Sequence, residues 1–349
     1  MRKSIKPDNN TGWTVRKHSR HSGSLNAYQQ LNESFDRKVI FRVGDDAGFF
    51  SEYNNMLLAM LYCLQYRYQF VLTSKYANFA FNKGWTDYFE PFVKENNVRS
   101  VLRYNHRPTE FSSRIPRPSL LRRILLRMGI EYSPTKDRSL RLVYLAKKQR
   151  LLLTQDIFAD IRSMSTSQMF DFPTIGIQGN VRQACHQLLS LTWRFNGVTQ
   201  NAIQELIQTL GLPAHYIGLH IRAGDKISEH QLILPKTYIE KTMHISDIHV
   251  AFVLTDDYDV MIELQNEFPQ WNFYTLCNKN EHGYYHTEFM KQTQQDIKEA
   301  HIKLFASMEV LANSDFCIGT YSSNPGMYLG LRMPEGRFHG VDFEEWKIW

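Results

Sequence analysis

Tyr216-Ile-Gly-Leu-His220 is a short apolar run that passes straight into the polar cluster Arg222-Ala223-Gly224-Asp225-Lys226. An apolar run of this length, bounded by a Gly-containing polar loop, reads as a buried strand and the turn that follows it. The pattern repeats downstream. Val250-Ala-Phe-Val-Leu254 passes into Thr255-Asp256-Asp257, and Phe316-Cys-Ile318 into Gly319-Thr320-Tyr321-Ser322-Ser323-Asn324. Trp271-Asn-Phe-Tyr-Thr275 reads as a further strand. Helical periodicity falls between them, from Asp259 to Glu267, from Asp296 to Ala312, and from near Asn324 onward. Strands alternating with helices predict a parallel, doubly wound α/β sheet. In such sheets the ligand crevice lies outside the carboxyl ends of the strands. The three polar clusters are therefore expected to converge on one place.

The residue types there suit phosphate. Arg222 offers a planar fork of donors that matches phosphate oxygens. Thr320, Ser322, Ser323 and Asn324 sit where a strand gives way to a helix, and a helix start presents free N–H groups to an anion. Gly319 is expected to let the backbone approach a ligand. The alternative reading makes Ser322 and Ser323 a helix cap and pairs Arg222 with Asp225. Asp256 and Asp257 are adjacent on a strand and point to opposite faces, so they do not read as a metal-binding pair. One of them is read as a helix cap and positioning carboxylate, and no metal site is expected. No Gly-x-x-x-x-Gly-Lys-Ser/Thr loop and no Gly-x-Gly-x-x-Gly turn occurs, which argues against P-loop and ordinary dinucleotide enzymes.

Working outward, Gly211-Leu-Pro213 reads as the joint between two domains, 38–210 and 211–349. The first opens with the strand Val39–Val43 and a turn-rich loop, residues 44–51. A buried helix from Asn54 to Tyr66 and the strand Phe70–Thr73 follow. This is a βαβ unit, whose first loop, carrying Gly48 and Ser51, faces the ligand crevice. Helical patterns are expected from about Leu140 to Leu210, broken near Phe172–Gly176, and residues 1–37 read as a weakly structured lead-in.

The chain has 349 residues, 43% hydrophobic and 22% charged, which is the composition of a folded globular protein. No apolar run reaches the roughly 18 residues of a membrane span, and the first residues lack the apolar core of a secretory signal. The expected location is the cytoplasm. Cys63, Cys185, Cys277 and Cys317 form no Cys-x-x-Cys pair and read as buried free thiols. Residues 99–150 hold 14 Lys and Arg against three acids, so the rest of the +6 chain carries about −5. Within them, Leu121, Ile124, Leu125 and Met128 share one helical face flanked by Arg122, Arg123 and Arg127. That pattern suits an anionic membrane surface as well as a helix packed on the domain. The acidic remainder and the lack of a recognition motif argue against nucleic acid.

GLHIRAGDK, FVLTDD and DFCIGTYSSNPG, in this order and spacing, resemble the three motifs of the fucosyltransferase superfamily, in the pattern of its α1,6-fucosyltransferases. Gly48-Phe-Phe-Ser-Glu-Tyr-Asn54 is similar to the family's Gly-rich first loop. Gly84-Trp85-Thr-Asp-Tyr-Phe89-Glu-Pro91 is similar to another of its segments. The match covers about a third of the chain, mostly residues 216–331. The resemblance implies a GT-B-like fold with a Rossmann-like donor domain, a GDP-fucose donor, inversion and no metal. It also implies site roles. Arg222 would hold the β-phosphate, His220 and Asp225 would line the nucleotide site, and Ser323 and Asn324 would touch the diphosphate. Lys226 would sit near the reacting centre. Three positions depart from the family. Its second Arg is Ala223, its guanine-reading Asp matches Ser307, and its catalytic Glu falls at His230, with Glu229 just before it. The base is therefore either Glu229 or His230. The expected activity is transfer of a sugar to a hydroxyl of a surface polysaccharide or a lipid-linked oligosaccharide. Another nucleotide-sugar donor, or nucleotide binding without catalysis, is the alternative.

Overall fold

The computed structural model describes residues 22–98, 105–108, 151–223 and 233–348. Two parallel sheets organise them. The first has the order β2-β1-β3, with β1 Arg37–Arg42, β2 Tyr68–Thr73 and β3 Leu151–Leu153. The second has the order β10-β9-β6-β7-β8. Its strands are β6 Ile217–His220, β7 Val250–Leu254, β8 Asn272–Tyr274, β9 Cys317–Gly319 and β10 Phe338–Gly340. Every pairing in both is parallel. β6 and β9 are buried along their whole length, as strands covered on both faces must be.

The helices of nine or more residues are α1 Ser22–Glu33, α2 Phe49–Gln65, α3 Thr154–Arg162, α4 Val181–Thr192 and α5 Gly197–Leu210. They continue with α6 Pro235–Met243, α7 Asp259–Glu267, α8 Gln294–Asn313 and α9 Asn324–Arg332. None among the described residues is long and apolar enough to cross a membrane.

Three expectations are corrected. The lead-in through residue 37 contains α1, because Leu25, Tyr28 and Asn32 recur at helical spacing and are buried. Asn32 exchanges two hydrogen bonds with the backbone of Phe70 (2.9 and 2.7 Å) and so covers the edge of β2. Second, α2 starts at Phe49 and not at Asn54. Phe49 and Phe50 are apolar and buried, and the Gly48 carbonyl accepts from Ser51 and Glu52, so the loop ends at Gly48. Third, the helical pattern expected after Leu140 is interrupted by β3 and by an antiparallel hairpin, β4 Met169–Phe172 with β5 Ile177–Asn180. Pro173 and a left-handed Gly176 make the connection between these two strands. Residues 109–150, where the basic amphipathic helix was expected, lie outside the described residues. Of the four cysteines, three are buried as expected, whereas Cys277 beyond β8 is half-buried.

α5 ends at Gly211 (φ 59°), and Leu212-Pro213 leads to β6. The hydrophobic core does not stop at this joint. Phe49 of α2 meets Phe305 of α8 edge-on at 4.9 Å, and Phe50 meets Tyr328 of α9 at 4.8 Å. Trp193 lies between the two units, 5.6 Å from Phe305 and 4.6 Å from Tyr328. Its indole N–H donates to Glu309, which also holds Arg332 through two bonds of 2.6 and 2.7 Å.

Candidate functional site

The chain runs from β6 outward to β7 and β8, then returns to the other side of β6 for β9 and β10. The order therefore reverses between β6 and β9. At such a switch point the loops leaving two neighbouring strands turn apart and leave a crevice. Two of the three polar clusters flank it, one beyond His220 and the other beyond Gly319, and the third follows the adjacent β7.

His220 closes β6 and is 4% exposed. Burial pushes its imidazole down to about 3, with the charge of Arg222 adding to the effect and Asp342 opposing it. It is thus neutral at ordinary pH, and its Nδ1 is buried with no hydrogen-bond partner. Arg222 is half-buried two residues on. The Asp256 carboxylate clasps backbone: one oxygen accepts from Ala223 (2.8 Å) and the other from Tyr284 (3.1 Å). It ties the exit of β6 to the 283–284 loop. Asp257 accepts from the N–H of Asp259 (3.0 Å) and lies 3.8 Å from His282. Asp257, Asp259 and His282 are the one group among the described residues whose ligand atoms could meet on a metal ion. The sequence argument weighed Asp257 only against Asp256 and overlooked the loop that brings up His282. Asp259 and His282 are exposed, with side-chain exposures of 72% and 63%.

Beyond β9, Ser323 caps α9. Its hydroxyl accepts from Gly326 (3.2 Å) and donates to the Thr320 carbonyl, while Thr320 Oγ1 donates to it (3.0 Å). Both residues are buried, so the helix-cap reading holds for Ser323. Ser322 and Asn324 are half-buried, and the Asn324 Oδ1 is without a hydrogen-bond partner. At Gly319 a Cβ would lie 2.8 Å from the Phe338 ring, so the glycine is required for packing against β10. The close approach falls at Gly326, where a Cβ would lie 1.8 Å from the Thr320 carbonyl oxygen.

The first unit reaches the same region. Asn54 of α2 donates to the Asn324 carbonyl at 3.1 Å, and its own Oδ1 is buried without a partner. Gly48, the N-cap of α2, is exposed. With Phe49 and Asn78 it lines a small pocket facing Tyr284, Phe289 and His301 of the second unit. Ser51 behaves differently: it is buried, and its hydroxyl accepts from Arg107 at 2.9 Å. Arg107 also pairs with Glu52, 3.3 Å away. Ser307 is buried within α8, its hydroxyl donating to the Lys303 carbonyl. Gly224, Asp225, Lys226, Glu229 and His230 lie outside the described residues.

Sequence reasoning missed Glu52 and Asp342. Asp342 receives the N–H groups of Tyr321 (2.8 Å), Ser322 (2.8 Å) and Phe343 (2.9 Å). An Asp between apolar and aromatic residues after a short strand carries no signal that it folds back on a loop some 20 residues earlier.

A search with protein-family models finds none that matches the chain, and a search of curated proteins finds no match. Solved structures do match. The crystal structure of NodZ α1,6-fucosyltransferase soaked with GDP-fucose superposes with a TM-score of 0.50 at 14% identity, covering 88% of this chain and 95% of that one. That of fucosyltransferase NodZ from Bradyrhizobium gives 0.49 at 14% identity, covering 88% and 96%. POFUT1 in complex with GDP-fucose gives 0.48 at 9% identity, covering 89% and 99%. The chain has the fold of the first of these, a GT-B-like pair of α/β units.

Proposed function

We propose that this chain is an inverting glycosyltransferase that transfers fucose from GDP-fucose to a sugar hydroxyl. The observation that carries the reading is the switch point between β6 and β9, with Arg222 following the first of these strands and α9 following the second. A protein of this fold was soaked with GDP-fucose, and the described parts of the three resembling motifs run through β6, β7 and β9 and just beyond them.

The chemistry follows from the charges. As the acceptor oxygen bonds to the anomeric carbon, the bond to the diphosphate breaks and its electrons leave with the nucleoside diphosphate. Arg222 and the polar start of α9 stabilise that growing charge. Glu229 or His230 takes the acceptor's proton, and Lys226 and Asp225 complete the donor side. Neutral His220 contributes hydrogen bonding without charge. No metal is required, and the Asp257–Asp259–His282 group is where an added ion would bind. Calorimetric titration with GDP, UDP, CMP and ADP, with and without EDTA, tests this. GDP alone should bind, with or without EDTA, and Arg222→Ala should weaken it about ten- to a hundredfold, the worth of a charged hydrogen bond. Loss of binding in EDTA that His282→Ala reproduces would rule out the metal-independent reading. The natural acceptor is a surface polysaccharide or lipid-linked oligosaccharide, with residues 99–150 docking on anionic lipid at the cytoplasmic face. Each basic residue near such a surface is worth about 1 kcal/mol. Sedimentation with anionic vesicles should therefore fall with salt; equal sedimentation at low and high salt removes the docking.

Ser307 favours a second reading. A buried hydroxyl already bonded to a helix carbonyl cannot offer a carboxylate to guanine. Preference for another nucleotide in the same titration would keep the site and change the donor.

A further inference from the structure

The turn that begins α9 is built around a carboxylate from the end of the chain. Tyr321 and Ser322 direct successive backbone N–H groups to one side, and paired N–H groups of this kind form a concavity that holds anions. Here the anion is Asp342, at 2.8 Å from both, with the N–H of Phe343 closing the arrangement at 2.9 Å. A diphosphate at this helix start therefore does not meet those two N–H groups. With Thr320 and Ser323 buried and bonded to each other, the half-buried Ser322 side chain is what the turn can offer. The Asp342 charge is also felt by His220 at the end of β6. A negative group held where a second negative group is to bind lowers affinity unless it does something else. Two of its three short bonds, those from Tyr321 and Ser322, show what that is: they fix the direction of the 320–323 turn.

We propose that Asp342 is a positioning residue for the donor's phosphates, setting Ser322 and the start of α9 against Arg222. This rests on the nucleotide-sugar reading above. It predicts a defect confined to the phosphate end of the ligand, because in this reading the turn faces the phosphates.

The test uses the full chain and Asp342→Asn, which keeps the shape but can accept at only one oxygen. Affinity is measured for GDP, and for guanosine as a competitor of GDP. GDP should bind about tenfold or more weakly in the variant, while guanosine stays within about twofold. A parallel loss for both ligands would make Asp342 a general structural support and overturn the proposal. So would tighter GDP binding, which would make the carboxylate a rival of the phosphate. Wild type that binds neither ligand ends the donor reading and this one with it. Wild type and variant binding GDP equally well ends only the role of Asp342. If the variant does not fold, amide exchange in the wild type decides. Tyr321 and Ser322 should be protected without nucleotide and unchanged by GDP. Fast exchange that GDP slows would mean that phosphate, not Asp342, holds those groups.

Discussion

Glu52 is 1% exposed, and burial raises its carboxyl to about 7, against the pull of Arg107. Because this lies above the ordinary value of 4.5, the folded chain holds the proton more tightly than the unfolded chain does. That preference stabilises the fold fully below about pH 4.5 and is lost as pH rises through 7. Glu52→Gln fixes the neutral form. Between pH 5 and 8, wild type should lose stability relative to the variant, on the order of 3 kcal/mol at most. Urea midpoints across that range check it, and a difference independent of pH would refute it. Buried His220 and His301 work in the other direction. Their folded values, about 3 and about 4, lie below 6.5, so their contribution is present above 6.5 and lost on acidification. The comparison with Glu52→Gln cancels their part. Arg222 could be singled out in the sequence because it stands just beyond a strand. Glu52 was not, since what gives it meaning is Arg107, 55 residues away on a segment without pattern.

At the scale of elements, the start of α9 depends on absent atoms as much as on present ones. Ser323 can cap the helix only if the Thr320 carbonyl comes up against Gly326. Gly326→Ala places a methyl 1.8 Å from that oxygen, and the turn must open. The expected cost is about 1–3 kcal/mol, as for overpacked interiors, with weaker GDP binding in proportion as Ser322 moves. Denaturant unfolding and titration of the same sample check both, and an unchanged midpoint would mean that the turn has slack. α7 and β7 were legible to the residue because their apolar periods are unbroken and Asp257 and Asp259 mark the boundary. The hairpin β4–β5 was not, because its strands have four residues each and sit between two genuine helical patterns. α1 was hidden by a polar composition that leaves only Leu25, Tyr28 and Asn32 to bury.

Across the whole molecule, the two units are joined by aromatic rings and by Trp193, whose indole N–H donates to Glu309 of an ion pair within the second unit. Arg332 lies over Trp193 (5.6 Å to the ring centroid) and is held by Glu309. Glu309→Ala strands that guanidinium among Phe305, Trp193 and Tyr328, a change that in buried pairs removes about 3–5 kcal/mol. Chemical unfolding measures it, and a loss under about 1 kcal/mol would show that water reaches the pair. The parallel order of the second sheet was readable from its alternation with helices. The union of the units was not, since no local pattern says that Phe49 will meet Phe305. The shared core also bears on how the protein can be studied. A chain whose halves bury each other's rings is expected to melt as one unit, and a cut at Gly211 would yield two fragments, each with a bare aromatic face. By linkage, a nucleotide held by one half then raises the melting temperature of the other. Thermal shift with a bound nucleotide should thus report on substitutions in either half of the chain.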